Sequence, residues 1–119
     1  MSYLLQCQLN KYYVGRCYTN RLTTRIQEHK NNKGAAWTTK YPVQKILLSF
    51  PSNDPLDEEM MVLKQMRKYG INNVRGGSFS NINLTFSQKS VLQTQLYGIN
   101  GKCFNCGSEK HWYSKCPLL

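Results

Sequence analysis

A chain of 119 residues holds one small domain with a short appendage and buries only a modest core. Sixteen Lys and Arg against six Asp and Glu leave a formal charge of +10, which excludes an acidic surface and favours a polyanionic partner, nucleic acid first. No run approaches the ~18 to 20 apolar residues of a membrane span, and Met-Ser-Tyr-Leu-Leu opens without a charged leader, so neither a membrane partner nor secretion is expected.

From the N-terminus, YLLQC and YYVGRC read as two strands around a turn at Asn10. A three-residue turn of Leu9, Asn10 and Lys11 pairs residue 7 with 13 and residue 3 with 17, and it puts Tyr3 and Tyr13 on one sheet face. A two-residue Asn10-Lys11 turn would put them on opposite faces, so the three-residue register is the expectation. Cys7 then faces Tyr13, Cys17 faces Tyr3, and the two thiols do not meet. Gly15 inside the second strand marks a point where a backbone or a ligand comes close. A helix follows with Asn20 as its N-cap and Leu22, Arg25, Ile26 and His29 at helical spacing, so Arg25 and His29 are neighbours one turn apart. Gly34 reads as its C-cap. Ala36 and Trp37 open an irregular crossing, with Trp37 a core anchor.

VQKILLSF, residues 43 to 50, is the third strand and apolar enough to lie centrally. Asp54-Pro55 reads as the N-cap and first residue of a second helix, which carries Asp57, Glu58 and Glu59 in its opening turn and runs to Tyr69, where Gly70 stops it. Met60, Leu63 and Met66 form its inner face. Residues 71 to 83 turn to Asn, Gly and Ser, and Arg75 beside Gly76-Gly77 offers either backbone amides and a cation for phosphate or a plain loop. A short helix from Ser87 to Tyr97 follows, with Ser87 as cap, Phe86 stapled onto Val91, a stripe of Val91, Leu92 and Leu96, and Gly98 as its end.

Residues 103 to 116 read CFNCGSEKHWYSKC, a Cys-x2-Cys-x4-His-x4-Cys spacing. Three thiolates and an imidazole close a tetrahedral shell around structural Zn²⁺ at Cys103, Cys106, His111 and Cys116. The spacing and the Phe-Asn-Cys-Gly opening resemble the zinc knuckle of retroviral nucleocapsid proteins, with Lys110 standing where most knuckles have Gly. Phe104 and Trp112 on one face can stack bases of a single strand, and Lys110 and Lys115 can meet its phosphates. Cys7 and Cys17 are left as free thiols. Thiols and a thiolate metal site together suit a reducing intracellular compartment, cytoplasm or nucleus.

The ordered set of Tyr3-Leu4-Leu5, Tyr13-Val14-Gly15, Arg25 and His29 on the next helix, Gly34 to Thr39, and Tyr69-Gly70-Ile71 with Val74 to Ser78 resembles the GIY-YIG nuclease superfamily over about residues 2 to 80. The resemblance implies phosphodiester hydrolysis with one Mg²⁺ or Mn²⁺. It makes Tyr3 the group that helps deprotonate water, Tyr13 the one that orients water or phosphate, and Arg25 the cation on the phosphorane. His29 is then a hydrogen-bond partner of a tyrosine or the phosphate, or a packing residue. The metal carboxylate of such helices falls at Lys64, so Glu58 or Glu59, with Glu59 preferred, stands in for it or only complements the helix dipole. The expected fold is α/β (α+β): a small three-stranded, mainly antiparallel sheet flanked by helices in residues 1–80, a linker with a short helix in 81–101, and a CCHC zinc knuckle in 102–118. The expected function is nucleic-acid binding, of DNA or RNA, with metal-dependent endonuclease activity. The alternative is an inactive nuclease-like scaffold that only binds.

Overall fold

Two strands with apolar side chains on both faces must be covered on both, and that places the hairpin, not the long apolar third strand, at the centre of the sheet. In the computed structural model, which describes residues 1–52 and 54–99, β1 (Ser2–Cys7) and β2 (Lys11–Arg16) are the inner strands of a four-stranded sheet ordered β3-β1-β2-β4, with β3 spanning Val43–Phe50 and β4 Val74–Gly76. The helices are α1 (Leu22–Lys30), α2 (Ala36–Lys40), α3 (Pro55–Tyr69) and α4 (Phe86–Ile99). The chain divides into two compact units, Met1–Asn83 and Leu84–Leu119. Among the described residues no helix is long and apolar enough to cross a membrane. The proposed zinc ligands, with Phe104, Lys110, Trp112 and Lys115, lie outside the described residues.

The hairpin register differs from the expected one by two residues. Tyr3 pairs with Gly15, Leu5 with Tyr13 and Cys7 with Lys11, so Cys7 does not face Tyr13 and Tyr3 does not face Cys17. The cause is the turn, a 3-10 turn at Gln8–Asn10 in which Leu9 and Asn10 take left-handed φ of 59° and 56° and return the chain to the ladder one residue early. The shift is even, so the face is unchanged: Tyr3, Leu5 and Tyr13 point the same way. With Cys7 and Trp37 they form a buried cluster over which Leu22, Ile26 and Tyr41 pack. On the opposite face Tyr12 stacks on Tyr69 of α3 with ring centroids 3.8 Å apart. Helices therefore cover both faces of the hairpin.

β3 pairs antiparallel with β1 alone, and as an edge strand it leaves Ile46, Leu47 and Leu48 about 40%, 38% and 40% exposed. Its apolar composition carries no information on whether one neighbour or two flank it. A fourth strand, β4, lies within the stretch expected to be a loop and runs parallel to β2. Gly76 makes that pairing possible, because at its φ of +151° a Cβ would overlap the Val14 carbonyl oxygen. The sheet is therefore mixed and four-stranded rather than three-stranded.

Local signals divide between those that hold and those the tertiary structure overrides. Asp54 caps α3 as expected, accepting from the Leu56 amide at 2.9 Å. The inner face of α3 is Val62 and Met66, while Met60 is exposed, because the helix meets the sheet one residue out of phase with the expected stripe. Asn20 does not cap α1: it lies in a 3-10 turn, Thr19–Arg21, and the helix begins at Leu22. The helix ends at Lys30, before Gly34, and the expected irregular crossing is the short helix α2. Trp37 is buried and donates from Nε1 to the Tyr12 carbonyl at 2.9 Å. In the second unit a reciprocal capping box starts α4: Gln88 N donates to Thr85 Oγ1 at 3.1 Å, and Thr85 N to Gln88 Oε1 at 2.9 Å. Thr85 thus displaces Ser87 as the cap, Phe86 and Val91 are exposed and make no staple, and the helix continues through Gly98. Leu92 and Leu96 are its buried residues.

Candidate active site

Tyr3 and Tyr13 share a face because the hairpin register is even, and α1 crosses that face so that its last turn lands on them. His29, fully buried, receives both rings: its centroid lies 5.9 Å from that of Tyr3 and 5.1 Å from that of Tyr13. Its Nε2 is 2.9 Å from the Tyr3 hydroxyl, and its Nδ1 is 2.9 Å from Thr38 Oγ1 on α2. Thr38 Oγ1 in turn donates to the Ala35 carbonyl at 3.0 Å. Two glycines make room for these rings. A Cβ on Gly15, the cross-strand partner of Tyr3, would overlap the Tyr3 ring, and a Cβ on Gly34 would overlap the His29 ring. Gly15 thus admits a ring from within the protein rather than a ligand, and Gly34 serves packing rather than helix termination.

Arg25, one turn before His29, lies beside the Tyr3 phenol, and its Nη1 holds Glu28 Oε2 at 3.1 Å. Glu28 also accepts from Arg21 Nη2 at 2.8 Å. Burial pushes the Tyr3 hydroxyl far above its ordinary value of 10, the neighbouring Tyr13 adds to the rise, and Arg25 opposes it by charge and by hydrogen bonding. Burial, with Arg25 nearby, holds His29 down at about 4, against a weaker pull from Glu28. At neutral pH the proton between the two groups therefore stays on Tyr3, and the imidazole is neutral. Tyr13 is raised too, mainly by burial; Arg25 opposes that rise and Glu58 adds to it. Tyr13 accordingly sits in the fields of a guanidinium and a carboxylate at once.

The acidic cluster at the start of α3 does not converge on one point. Asp54 is the helix cap, and Asp57 Oδ2 accepts from Ser52 Oγ at 3.0 Å. Glu58 Oε1 accepts from the Gly77 amide at 3.1 Å, and Glu59 Oε1 accepts from the Ser78 amide. Of the two glycine amides expected to meet a phosphate, that of Gly77 is thus occupied by Glu58 and that of Gly76 by the Phe79 carbonyl at 3.0 Å. Burial raises the half-buried Glu58 carboxyl, the Gly77 amide and Arg16 lower it, and Glu59 adds to the rise. Glu58, rather than Glu59, is the acid whose charge reaches Tyr13. Lys64 is exposed. No group of three or more His, Cys, Asp or Glu converges among the described residues, so a divalent ion here would have a single carboxylate with water and phosphate as the rest of its shell, an arrangement Mg²⁺ tolerates.

Arg75, expected to contact nucleic acid, is buried and held by four carbonyls. Nε donates to Asn81 O at 2.8 Å, Nη1 to Ile71 O at 2.6 Å and Val74 O at 2.8 Å, and Nη2 to Ile82 O at 3.1 Å. The guanidinium also lies 4.5 Å from the centroid of the Trp37 ring. It is a staple for the segment after β4, with four of its five N–H donors committed to carbonyls. Other cations of this unit lie against aromatic rings: Lys11, which also donates to Asn73 Oδ1 at 2.7 Å, and Lys40 flank the Tyr41 ring at 5.4 and 5.5 Å, and Lys68 lies 5.1 Å from the Tyr69 centroid. Lys11 shares the sheet face of Tyr13, two residues along β2. A recess of about 470 Å³ lined by Met1, Arg16, Cys17, Tyr18, Thr19 and Ser52 opens at the strand ends, and of its lining residues Cys17 packs on the tyrosine cluster.

Tyr3, Tyr13, Arg25 and His29 are thus brought together, Glu59 sits at their margin behind Glu58, and Arg75 is excluded. Sequence reasoning missed Thr38 and Glu28 as partners, and no spacing rule links a residue on α1 to one on α2 across the turn between them. No family model, curated protein or solved structure matches this chain.

Proposed function

We propose that this chain is a nucleic-acid-binding phosphodiesterase of the GIY-YIG type that carries a zinc knuckle. The observation that carries the reading is the convergence of Tyr3, Tyr13 and His29 on one buried point with Arg25 beside it. Tyrosine, arginine and histidine so placed present two phenols and a guanidinium to an incoming phosphate, with an imidazole behind to receive a proton. The Arg25 fork matches phosphate oxygens and stabilises charge that grows on them in the transition state. Glu58 is the carboxylate placed to hold a Mg²⁺ or Mn²⁺ ion, which when bound supplies Lewis-acid stabilisation of the leaving oxygen. The +10 charge and the lysines around Tyr41 and Tyr69 support a polyanionic substrate. The donor set of Cys103, Cys106, His111 and Cys116 fits a closed structural zinc site, which adds no open position for catalysis and presents Phe104 and Trp112 to single-stranded bases. The free thiols Cys7 and Cys17 agree with a reducing, intracellular setting.

Lys64, exposed where the family places a carboxylate, favours a second reading, a binding scaffold without hydrolysis. The two readings separate in one assay of the full chain with Mg²⁺ or Mn²⁺ on labelled branched and linear DNA and RNA. Cleavage that chelation abolishes is the expected result. Tight, steeply salt-dependent binding without any cleavage would leave the scaffold and remove the enzyme. Metal analysis of the same preparation should find one equivalent of zinc, lost in a Cys106→Ser, Cys116→Ser protein. A full equivalent retained by that variant would refute the assigned ligands.

A further inference from the structure

We propose that Thr38 is a positioning residue for His29: its hydroxyl accepts a hydrogen bond from Nδ1 and so fixes the tautomer in which Nε2 carries the lone pair that takes the Tyr3 proton. The argument follows the protons outward from the end of the chain of contacts. A threonine hydroxyl has one proton, and the Ala35 carbonyl 3.0 Å away, which also takes the Thr39 amide at 3.1 Å and the Thr39 hydroxyl at 3.2 Å, is an acceptor only, so we assign the Thr38 proton to it. With its proton committed, Oγ1 can only accept from His29 Nδ1 at 2.9 Å, so Nδ1 carries the hydrogen. In a neutral imidazole Nε2 is then bare, and the Tyr3 hydroxyl 2.9 Å away must donate to it. The other end of the chain agrees. Arg25 acts on the same phenol as a positive charge, which favours a phenol oxygen that turns its lone pairs toward the guanidinium and its proton toward the histidine.

The opposite arrangement, with Thr38 donating to Nδ1 and Nε2–H donating to Tyr3, would leave the phenol proton without an acceptor among His29, Tyr3 and Thr38. All the groups concerned are buried, which makes such an orphan costly. The consequence for chemistry rests on the phosphodiesterase reading. In the hydrolytic step the phenol oxygen takes a proton from the attacking water as its own proton passes to Nε2, so that a water O–H and the phenol O–H break while a new phenol O–H and Nε2–H form and no free phenolate stands beside the imidazolium. The imidazolium keeps its Nδ1–H on Thr38 Oγ1 throughout, so the ring does not have to turn.

The test uses the full chain with Thr38→Val, which keeps the shape and removes the hydroxyl, and Thr38→Ser, which keeps the hydroxyl. Circular dichroism confirms that each is folded. The chain has two histidines, His29 and His111, so ring nitrogen resonances are readily assigned. The wild type and Thr38→Ser should show the Nδ1–H pattern at His29, and Thr38→Val should show the Nε2–H form or a mixture. Metal-dependent cleavage should fall at least about 10-fold in Thr38→Val, the low end for a mispositioned proton acceptor, and stay near wild type in Thr38→Ser. An Nε2–H wild type, or an unaltered tautomer in Thr38→Val, overturns the proposal whether or not the protein cleaves anything. A changed tautomer with unchanged cleavage by an active enzyme overturns its functional half. A wild type that shows the Nδ1–H form and does not hydrolyse any substrate instead refutes the phosphodiesterase reading and leaves Thr38 as the group that sets the ring.

Discussion

Replacing Arg25 by alanine should lower metal-dependent cleavage by about 10² to 10³-fold, the range seen when one preorganised donor to a developing negative charge is removed. The size follows from position. Arg25 is the cation that acts on both tyrosines, and among the described residues its ion-pair partner is Glu28, at 3.1 Å. Both side chains of that pair are about 30% exposed, so the link is worth under about 1 kcal/mol to folding, and the variant should remain folded. Glu28→Gln is the informative companion. It keeps the guanidinium and removes the charge that competes with phosphate for it, so activity should hold or rise. Loss of cleavage in both variants alike would mean that Arg25 acts by holding α1 rather than by meeting the substrate. The acid can be identified in the same series: Glu58→Gln should cost cleavage as Arg25→Ala does, whereas Glu59→Gln should cost little, because it is Glu58 whose charge reaches Tyr13. The reverse order would restore Glu59 as the metal ligand.

Arg75→Met should destabilise the first unit by about 3 to 5 kcal/mol, on the basis of ~1 to 3 kcal/mol for each buried polar group left without its partner, discounted for carbonyls that can reach water. Four carbonyl oxygens, those of Ile71, Val74, Asn81 and Ile82, lose a charged donor at once, and Trp37 loses the cation above its ring. Methionine fills part of the volume and supplies none of the donors. Arg75→Lys should fall in between, since an ammonium cannot span four carbonyls spread around a planar fork. Burial pulls Arg75 below its ordinary value, with Tyr41 opposing, and the charge is solvated by carbonyl dipoles in place of a carboxylate. Denaturant unfolding of the variants measures the effect. A change below about 1 kcal/mol would show that water replaces the guanidinium easily. Affinity for nucleic acid, measured where the variant is folded, should be unaltered, since the group is buried and four of its five N–H donors are held by carbonyls.

Several features of this molecule were legible in its residues because they depend on neighbours in the chain. Runs rich in Tyr, Leu and Val around a turn at Asn10 made two strands of the hairpin, Asp54-Pro55 started α3 and Gly70 ended it, and Trp37 was large enough that a small core had to use it. The tyrosines, Arg25 and His29 could be expected to meet because the parity of a hairpin and the period of a helix survive small errors in register. A slip of two residues left Tyr3 and Tyr13 on one face. What only the tertiary structure decided depends on partners far along the chain. The apolar run of β3 is an edge strand because nothing else pairs with it, and β4 exists because β2 offers a free edge to Val74–Gly76. The same distance effect governs the charged residues. Arg75 and the amides of Gly77 and Ser78 carry the right chemistry for phosphate, but carbonyls and carboxylates of the chain itself reach them first. Residue type sets what a group can bind, whereas folding sets which partner is already within 3 Å, and a buried donor takes that partner because leaving it unpaired costs more than any later ligand returns.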